Sequence, residues 1–179
     1  MNSTKTGILG LYRHGTAEAH NSRKFQEDDL RPLTEEGRKT VLQCGLGLRH
    51  LGFLPDEVHA SHALRARQTA EALIQALELA PQVLRINAAL HLDIDPHAAL
   101  KRMDYPKAGK RILWIGHEPW LGEAIGILTG GVPLPLRKAG FAMLGMGKNR
   151  KQNAQLIAFL PPEYLVSLKS APAKKRFIP

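Results

Sequence analysis

Two histidines stand at the ends of apolar runs that could place them in one site. The run ILGLY is followed by Arg13, His14 and Gly15, and the run ILWIG is followed by His117 and Glu118. Such runs are typical of strands that are buried on both faces of a parallel sheet. If the two strands are neighbours, both imidazoles lie beyond the carboxyl edge of the sheet, where open α/β sheets bind ligands.

Three arginines are expected near the same edge. Arg13 directly precedes His14, Arg65 begins a helix after the second strand, and Arg31 lies in the long loop after the first strand. Guanidinium groups bind phosphate oxygens through paired, charge-assisted hydrogen bonds. A histidine among these cations keeps a low pKa, so that a neutral nitrogen is free to attack phosphorus. The pattern therefore predicts a phosphoryl-transfer site, with Arg67 turned roughly 200° away from Arg65 on the same helix.

Other interpretations of these residues exist. Each histidine could be a hydrogen-bonded structural residue, and Arg31 could simply pair with Asp28 or Asp29. Two histidines could also ligate a metal, but adjacent arginines repel a cation, and we predict that the protein uses neither a metal nor a cofactor. No GxxxxGK[ST] loop is present, so a nucleoside triphosphate is not the expected substrate.

The elements that must position these residues alternate along the chain. Strands are predicted at residues 7–12, 57–61, 82–86, 111–117, 140–146 and 154–160. Helices are predicted at residues 35–51, 64–79, 95–103 and 118–130. Thr34 and Asp95 have the side chains of helix N-caps. This alternation predicts an α/β fold with three α/β/α layers and a mostly parallel sheet.

Composition limits the remaining possibilities. The 179 residues suit one domain, predicted over residues 1–162, followed by a basic tail at 163–179. Of the net charge of +9, the part from residue 131 onward contributes +8, with Glu163 as its one acidic residue. Since few aromatic residues are interleaved there, nucleic-acid binding is not expected. The single cysteine, Cys44, and the lack of a signal peptide or a membrane-length apolar run predict a cytoplasmic protein without membrane contact.

Four sequence elements resemble those of one known family. RHG at 13–15, RPLTEEG at 31–37, SHALRARQTAEAL from Ser61 and GHE at 116–118 resemble the histidine phosphatase superfamily, which includes the phosphoglycerate mutases. The short chain is most similar to the SixA-type phosphohistidine phosphatases, over about residues 8–160. The resemblance implies a phosphoglycerate mutase-like fold.

The resemblance also implies roles for individual residues. His14 would be the nucleophile that forms a phosphohistidine intermediate, and His117 would donate to the transferring group. Arg13 and Arg65 would bind the phosphoryl oxygens, with Arg31 as a further contact from the loop.

The proton donor for the leaving group is the part of the site with no clear match. The carboxylates that could serve are Glu118, Asp93 and Asp95, and Asp95 is expected to be a helix cap instead. A phosphohistidine can release a neutral imidazole without an acid, whereas an alcohol needs protonation, which is worth about 10²–10⁴-fold in rate. We therefore predict a phosphohydrolase acting on phosphohistidine, carried by a phosphorylated protein. The alternatives are an enzyme for small phosphorylated substrates (a phosphomonoesterase or a mutase-like relative), or a non-catalytic module that binds phosphate or nucleic acid.

Overall fold

A six-stranded mixed sheet forms the centre of the protein. The computed structural model describes residues 6–20, 27–147 and 153–169. In chain order the strands are β1 (Ile8–Arg13), β2 (Glu57–Ala60), β3 (Leu84–Ile86), β4 (Arg111–Gly116), β5 (Phe141–Gly145) and β6 (Gln155–Leu160). Their spatial order is β3-β2-β4-β1-β5-β6. The first four strands in this order are parallel, and β5 is antiparallel to both β1 and β6.

Helices cover both faces of this sheet. They are α1 (Glu35–His50), α2 (Leu64–Leu77), α3 (Pro96–Leu100), α4 (Trp120–Thr129) and α5 (Pro162–Leu168). Alternate residues of β1 pack on opposite faces: Ile8 and Tyr12 join the core under α1, α2 and α5, whereas Leu9 and Leu11 join the core under α3 and α4. The predicted three-layer α/β/α fold with a mostly parallel sheet is therefore confirmed.

Strand pairing brings the ends of β1 and β4 together. Tyr12 lies opposite Ile115 and Arg13 lies opposite Gly116, so the chain leaves both strands at the same level. The next residue after each strand is a histidine, which places His14 and His117 at the carboxyl edge. The expected neighbour relation between the two apolar runs is thus confirmed.

Most predicted helix ends are close to the observed ones. The Thr34 hydroxyl accepts a hydrogen bond from the Gly37 amide, and the Asp95 carboxylate accepts from the amides of His97 and Ala98. Both residues are N-caps, as predicted. Helix α4 begins at Trp120, two residues later than predicted, because Glu118 and Pro119 still belong to the turn after β4.

The carboxyl-terminal part corrects one prediction. The sequence places the start of the tail at residue 163, but Pro162–Leu168 form α5, and Leu165 is fully buried against α1. The two helices approach closely because α1 carries Gly47, where a Cβ atom would lie 2.0 Å from the carbonyl oxygen of Leu165. The folded part therefore extends through α5, and residues 170–179 of the predicted tail lie outside the described residues. Within the described ranges, no helix is both long enough and apolar enough to cross a membrane.

Candidate active site

His14 has the geometry of a nitrogen nucleophile. Its side chain is almost buried, and its Nδ1 lies 2.7 Å from the carbonyl oxygen of Gly15. A carbonyl only accepts hydrogen bonds, so Nδ1 carries the ring proton and Nε2 keeps its lone pair. Burial is the main reason why the pKa of His14 is lowered to about 4; the hydrogen bond to the Gly15 carbonyl raises this pKa, and the charges of Arg65 and Arg13 lower it. The ring is therefore neutral at physiological pH and can attack through Nε2.

The second histidine, His117, faces the first. The two ring centroids are 5.0 Å apart, and His117 is 2% exposed. Its Nε2 lies 3.0 Å from the Ser61 hydroxyl, which also accepts a hydrogen bond from the amide of Ala63. Because the Ala63 amide already donates to this oxygen, we assign the Ser61 hydrogen to Nε2 and the ring proton of His117 to Nδ1.

The Nδ1 atom of His117 is buried and has no hydrogen-bond partner among the described residues. Burial lowers the pKa of His117 to about 2, with further contributions from His14 and Arg65. A neutral ring with a free Nδ1–H can donate to an anion that binds between the two histidines. Both rings therefore carry their proton on Nδ1, but His14 has its Nε2 lone pair free and His117 has its Nδ1–H free.

Arg65 and Arg13 bring positive charge to the same edge. Arg65 lies in the first turn of α2, is 2% exposed, and donates to both the backbone and the side chain of Asp28. Arg13 donates from Nη1 to the carbonyl oxygen of Leu136 at 2.9 Å. The Nε atoms of both arginines are buried without a partner in the described part of the chain. Arg67 is exposed, as its predicted direction on α2 requires.

Arg31 is tied to Asp28. Its Nε lies 2.7 Å from Asp28 Oδ1, and its Nη1 donates to the carbonyl oxygen of Glu18. The sequence left open whether Arg31 pairs with Asp28 or Asp29, and the structure shows the pair with Asp28. Arg31 is coupled to the site through Asp28, whose carboxylate connects Arg31 with Arg65.

The candidate proton donors have partners other than the two site histidines. The Glu118 carboxylate accepts from the backbone amides of Leu136 at 2.8 Å and Gly122 at 3.3 Å, so it anchors the turn before β5, and burial raises its pKa. The Asp93 side chain is 73% exposed, and Asp95 caps α3. In the described ranges, no hydrogen bond or ion pair joins these three carboxylates to His14 or His117.

Other residues near the histidines were not predicted as site residues. Thr69, one turn after Arg65, accepts a hydrogen bond from the amide of Gly15 and donates to the carbonyl oxygen of Arg65, which locks the turn after β1 onto α2. The ring centroid of His91 lies 6.0 Å from that of His117. The sequence did contain a signal for Thr69: it lies four residues after Arg65, so both side chains are expected on the same face of the helix.

Comparisons with known proteins agree with this geometry. The family described as "Histidine phosphatase superfamily (branch 1)" matches residues 9–91. An uncharacterized protein of Picosynechococcus sp. is 34% identical over 169 residues, which cover 88% of this chain and 98% of the relative. The chain belongs to the histidine phosphatase superfamily.

Solved structures show how the superfamily fold extends over the chain. The structure of the protein histidine phosphatase SixA complexed with tungstate superposes with a TM-score of 0.74 at 22% identity, covering 88% of this chain and 99% of that one. A mutant phosphoserine phosphatase of Entamoeba histolytica, complexed with phosphoserine, has a TM-score of 0.61 at 13% identity and covers 89% and 99%. At these identities the similarity establishes the fold, and the predicted phosphoglycerate mutase-like architecture is confirmed.

Proposed function

We propose that this histidine phosphatase superfamily member hydrolyses phosphohistidine, carried by a phosphorylated protein, through a covalent intermediate on His14. The observation that carries the proposal is the neutral, buried His14 ring, whose Nδ1–H is bound to the Gly15 carbonyl while His117 faces it at 5.0 Å. This arrangement leaves Nε2 as the free nitrogen. Arg13 and Arg65 supply the positive charge that a phosphoryl group requires.

In the first step, the Nε2 lone pair of His14 forms a bond to phosphorus while the bond from phosphorus to the leaving group breaks. The His14 ring becomes cationic, and the Gly15 carbonyl stabilises it by accepting from Nδ1–H. His117 Nδ1–H and the guanidinium groups of Arg13 and Arg65 donate to the oxygens of the transferring group.

In the second step, water attacks phosphorus and the bond to Nε2 breaks. The ring of His14 returns to its neutral form with the proton still on Nδ1. Inorganic phosphate leaves, and one proton from the water is released. The cycle needs no metal, cofactor or redox partner.

The choice of phosphohistidine depends on the leaving group. The Glu118 carboxylate is held by two backbone amides, and the Asp93 side chain is mostly exposed. Because none of the candidate carboxylates is hydrogen-bonded or ion-paired to the histidines in the described part of the chain, a substrate that releases a neutral imidazole is favoured over an ester that releases an alkoxide. The fold similarity to a SixA protein histidine phosphatase supports the same substrate class.

The first experiment tests the nucleophile. A protein that carries phosphohistidine is incubated with wild-type enzyme, with His14→Ala and with the matched control His97→Ala, whose imidazole is exposed on α3. We expect His14→Ala to lose at least about 10³-fold in rate, because it removes the attacking atom, while the control keeps wild-type activity. Intact-protein mass spectrometry after rapid quenching should show one added phosphoryl group on wild type and none on His14→Ala. Full activity of His14→Ala would refute the mechanism.

The second experiment tests the substrate class. The same enzyme is assayed with the phosphohistidine protein, with phosphoserine and with para-nitrophenyl phosphate. We expect kcat/KM to be highest for phosphohistidine, intermediate for the activated aryl ester and lowest for phosphoserine. Efficient hydrolysis of phosphoserine without hydrolysis of phosphohistidine would instead support the small-substrate phosphomonoesterase. Arg65→Ala should weaken binding of every phosphorylated substrate, whereas Arg67→Ala, on the exposed face of α2, should not.

A further inference from the structure

Three side chains from separate loops meet beside the phosphate pocket. Asp29 lies in the loop between β1 and α1, His62 lies between β2 and α2, and His91 follows β3. The Nε2 atoms of His62 and His91 each lie 3.0 Å from a different oxygen of Asp29. The two imidazole rings are stacked at 4.4 Å with an angle of 16° between their planes. The three groups therefore form one cluster, the Asp29–His62–His91 cluster.

The donor atoms of this cluster match the ligand chemistry of a zinc-class metal ion. Imidazole nitrogens and a carboxylate oxygen bind Zn²⁺ at about 2.0–2.2 Å, which places neighbouring ligand atoms of a tetrahedral site about 3.3 Å apart. In the cluster, one ligand atom from each residue can be chosen so that all three lie within 4.8 Å of one another. Each Nε2 lies 3.0 Å from one of the two Asp29 oxygens, so the three side chains already have their ligand atoms directed at one another, and an ion between them requires the side chains to move apart.

The local charge also permits a cation at this place. The nearby guanidinium of Arg65 would repel a metal ion, but it is paired with the Asp28 carboxylate at 2.9 Å. Asp29 contributes a second negative charge, and its two imidazole partners are neutral ligands when deprotonated at Nε2. This situation differs from that of the His14–His117 pair, near which the Nε atoms of Arg13 and Arg65 are buried without a partner in the described part of the chain.

We propose that Asp29, His62 and His91 bind a divalent transition-metal ion of the zinc class at the rim of the phosphate pocket. Three protein ligands leave one coordination position open for water or an anion. The ring of His91 lies 6.0 Å from that of His117, so the ion adds positive charge next to the place where a phosphoryl group binds. Binding displaces any proton on each Nε2, which makes the affinity fall as the pH is lowered.

The test is a metal titration that does not depend on activity. Tag-free wild-type protein, first treated with a chelator, is titrated with Zn²⁺ by calorimetry and with Co²⁺ by visible absorption. We expect one site per chain, with affinity reduced by at least about 100-fold in His62→Ala and in Asp29→Asn, since the loss of even an outer-shell partner costs about 10–100-fold. His62 has a 45% exposed side chain, so its replacement leaves the core intact.

Two controls locate the ion. His97→Ala removes an exposed imidazole on α3 outside the cluster and should bind Zn²⁺ as wild type does. His14→Ala should also retain full affinity, because His14 is not a ligand. Equal Zn²⁺ affinity in wild type and His62→Ala, or loss of the site in His14→Ala, would overturn the proposal. Neither result bears on phosphohistidine hydrolysis, which is tested separately with chelator-treated enzyme.

Discussion

The strongest quantitative prediction concerns the acid stability of the fold. The pKa of His14 is lowered from 6.5 to about 4, chiefly because the ring is buried, and also by Arg65 and Arg13. In the unfolded chain this ring binds a proton near pH 6.5, whereas in the folded protein it binds one only near pH 4. Between these values the unfolded state holds about one more proton, so acidification destabilises the folded state by about 1.4 kcal/mol per pH unit. From pH 6.5 to 4.5 the loss from His14 alone amounts to about 2 kcal/mol.

The measurement compares the pH dependence of unfolding in two proteins. Urea unfolding of wild type and of His14→Ala is followed at several pH values from 7 to 4.5, in phosphate-free buffers of constant ionic strength. Substitution also creates a cavity, which shifts the free energy of unfolding equally at every pH, so only the slopes are compared. We expect wild type to lose about 2 kcal/mol more than His14→Ala between pH 6.5 and 4.5. Parallel slopes would refute the assignment of a neutral, buried ring to His14.

Three further substitutions test the roles of neighbouring residues. Asp28→Asn removes the negative charge that is paired with Arg65. Calorimetry should show that tungstate binds this variant about 5-fold more tightly, since one charge at a partly exposed site is worth about 1 kcal/mol. Weaker binding would mean that the carboxylate is needed to position Arg65. Glu118→Ala leaves the Leu136 amide without its acceptor, so the free energy of unfolding in urea should fall by about 1–3 kcal/mol. A selective loss of phosphoserine hydrolysis in folded protein would instead identify Glu118 as a proton donor. The Leu165 side chain in α5 is fully buried, so Leu165→Ala should destabilise the protein by about 2–5 kcal/mol. An unchanged unfolding midpoint would show that α5 does not belong to the cooperative core.

The parts of the site that were predictable from the sequence are set by local structure. An apolar run of five or six residues determines a buried strand, and the first polar residue after it must lie at the strand end. His14 and His117 follow their strands in this way, and parallel pairing of β1 with β4 brings them together. Helix geometry separates the directions of Arg65 and Arg67 on α2, and the resemblance to the family indicated Arg65 as the residue at the site. These predictions required no knowledge of how the long loops fold.

The parts that were not predicted depend on long loops and on contacts between distant segments. The partner of Arg31 depends on how the chain folds around residues 28–30, where Asp28 turns toward both Arg31 and Arg65. His62 and His91 are 29 positions apart in the sequence, and only the path of the loops brings their rings into contact. Helix α5 was missed because its proline-rich beginning is typical of a tail, although Leu165 supplies the apolar contact that holds it on α1. The hydrophobic periodicity of one helix or strand carries no information about contacts between distant segments.

The two strand-end histidines also show why a sequence pattern cannot by itself assign catalytic roles. His14 and His117 follow similar apolar runs, are both buried, and both have a lowered pKa. They differ in their hydrogen-bond partners: a carbonyl oxygen, which can only accept, binds Nδ1 of His14, and the Ser61 hydroxyl, whose hydrogen is free, binds Nε2 of His117. The first partner leaves the Nε2 lone pair of His14 free, and the second leaves the Nδ1–H of His117 free. In the mechanism that we propose, the first ring attacks phosphorus and the second donates to its oxygens, and this division of roles is based on the two hydrogen bonds and not on the strands that carry the rings.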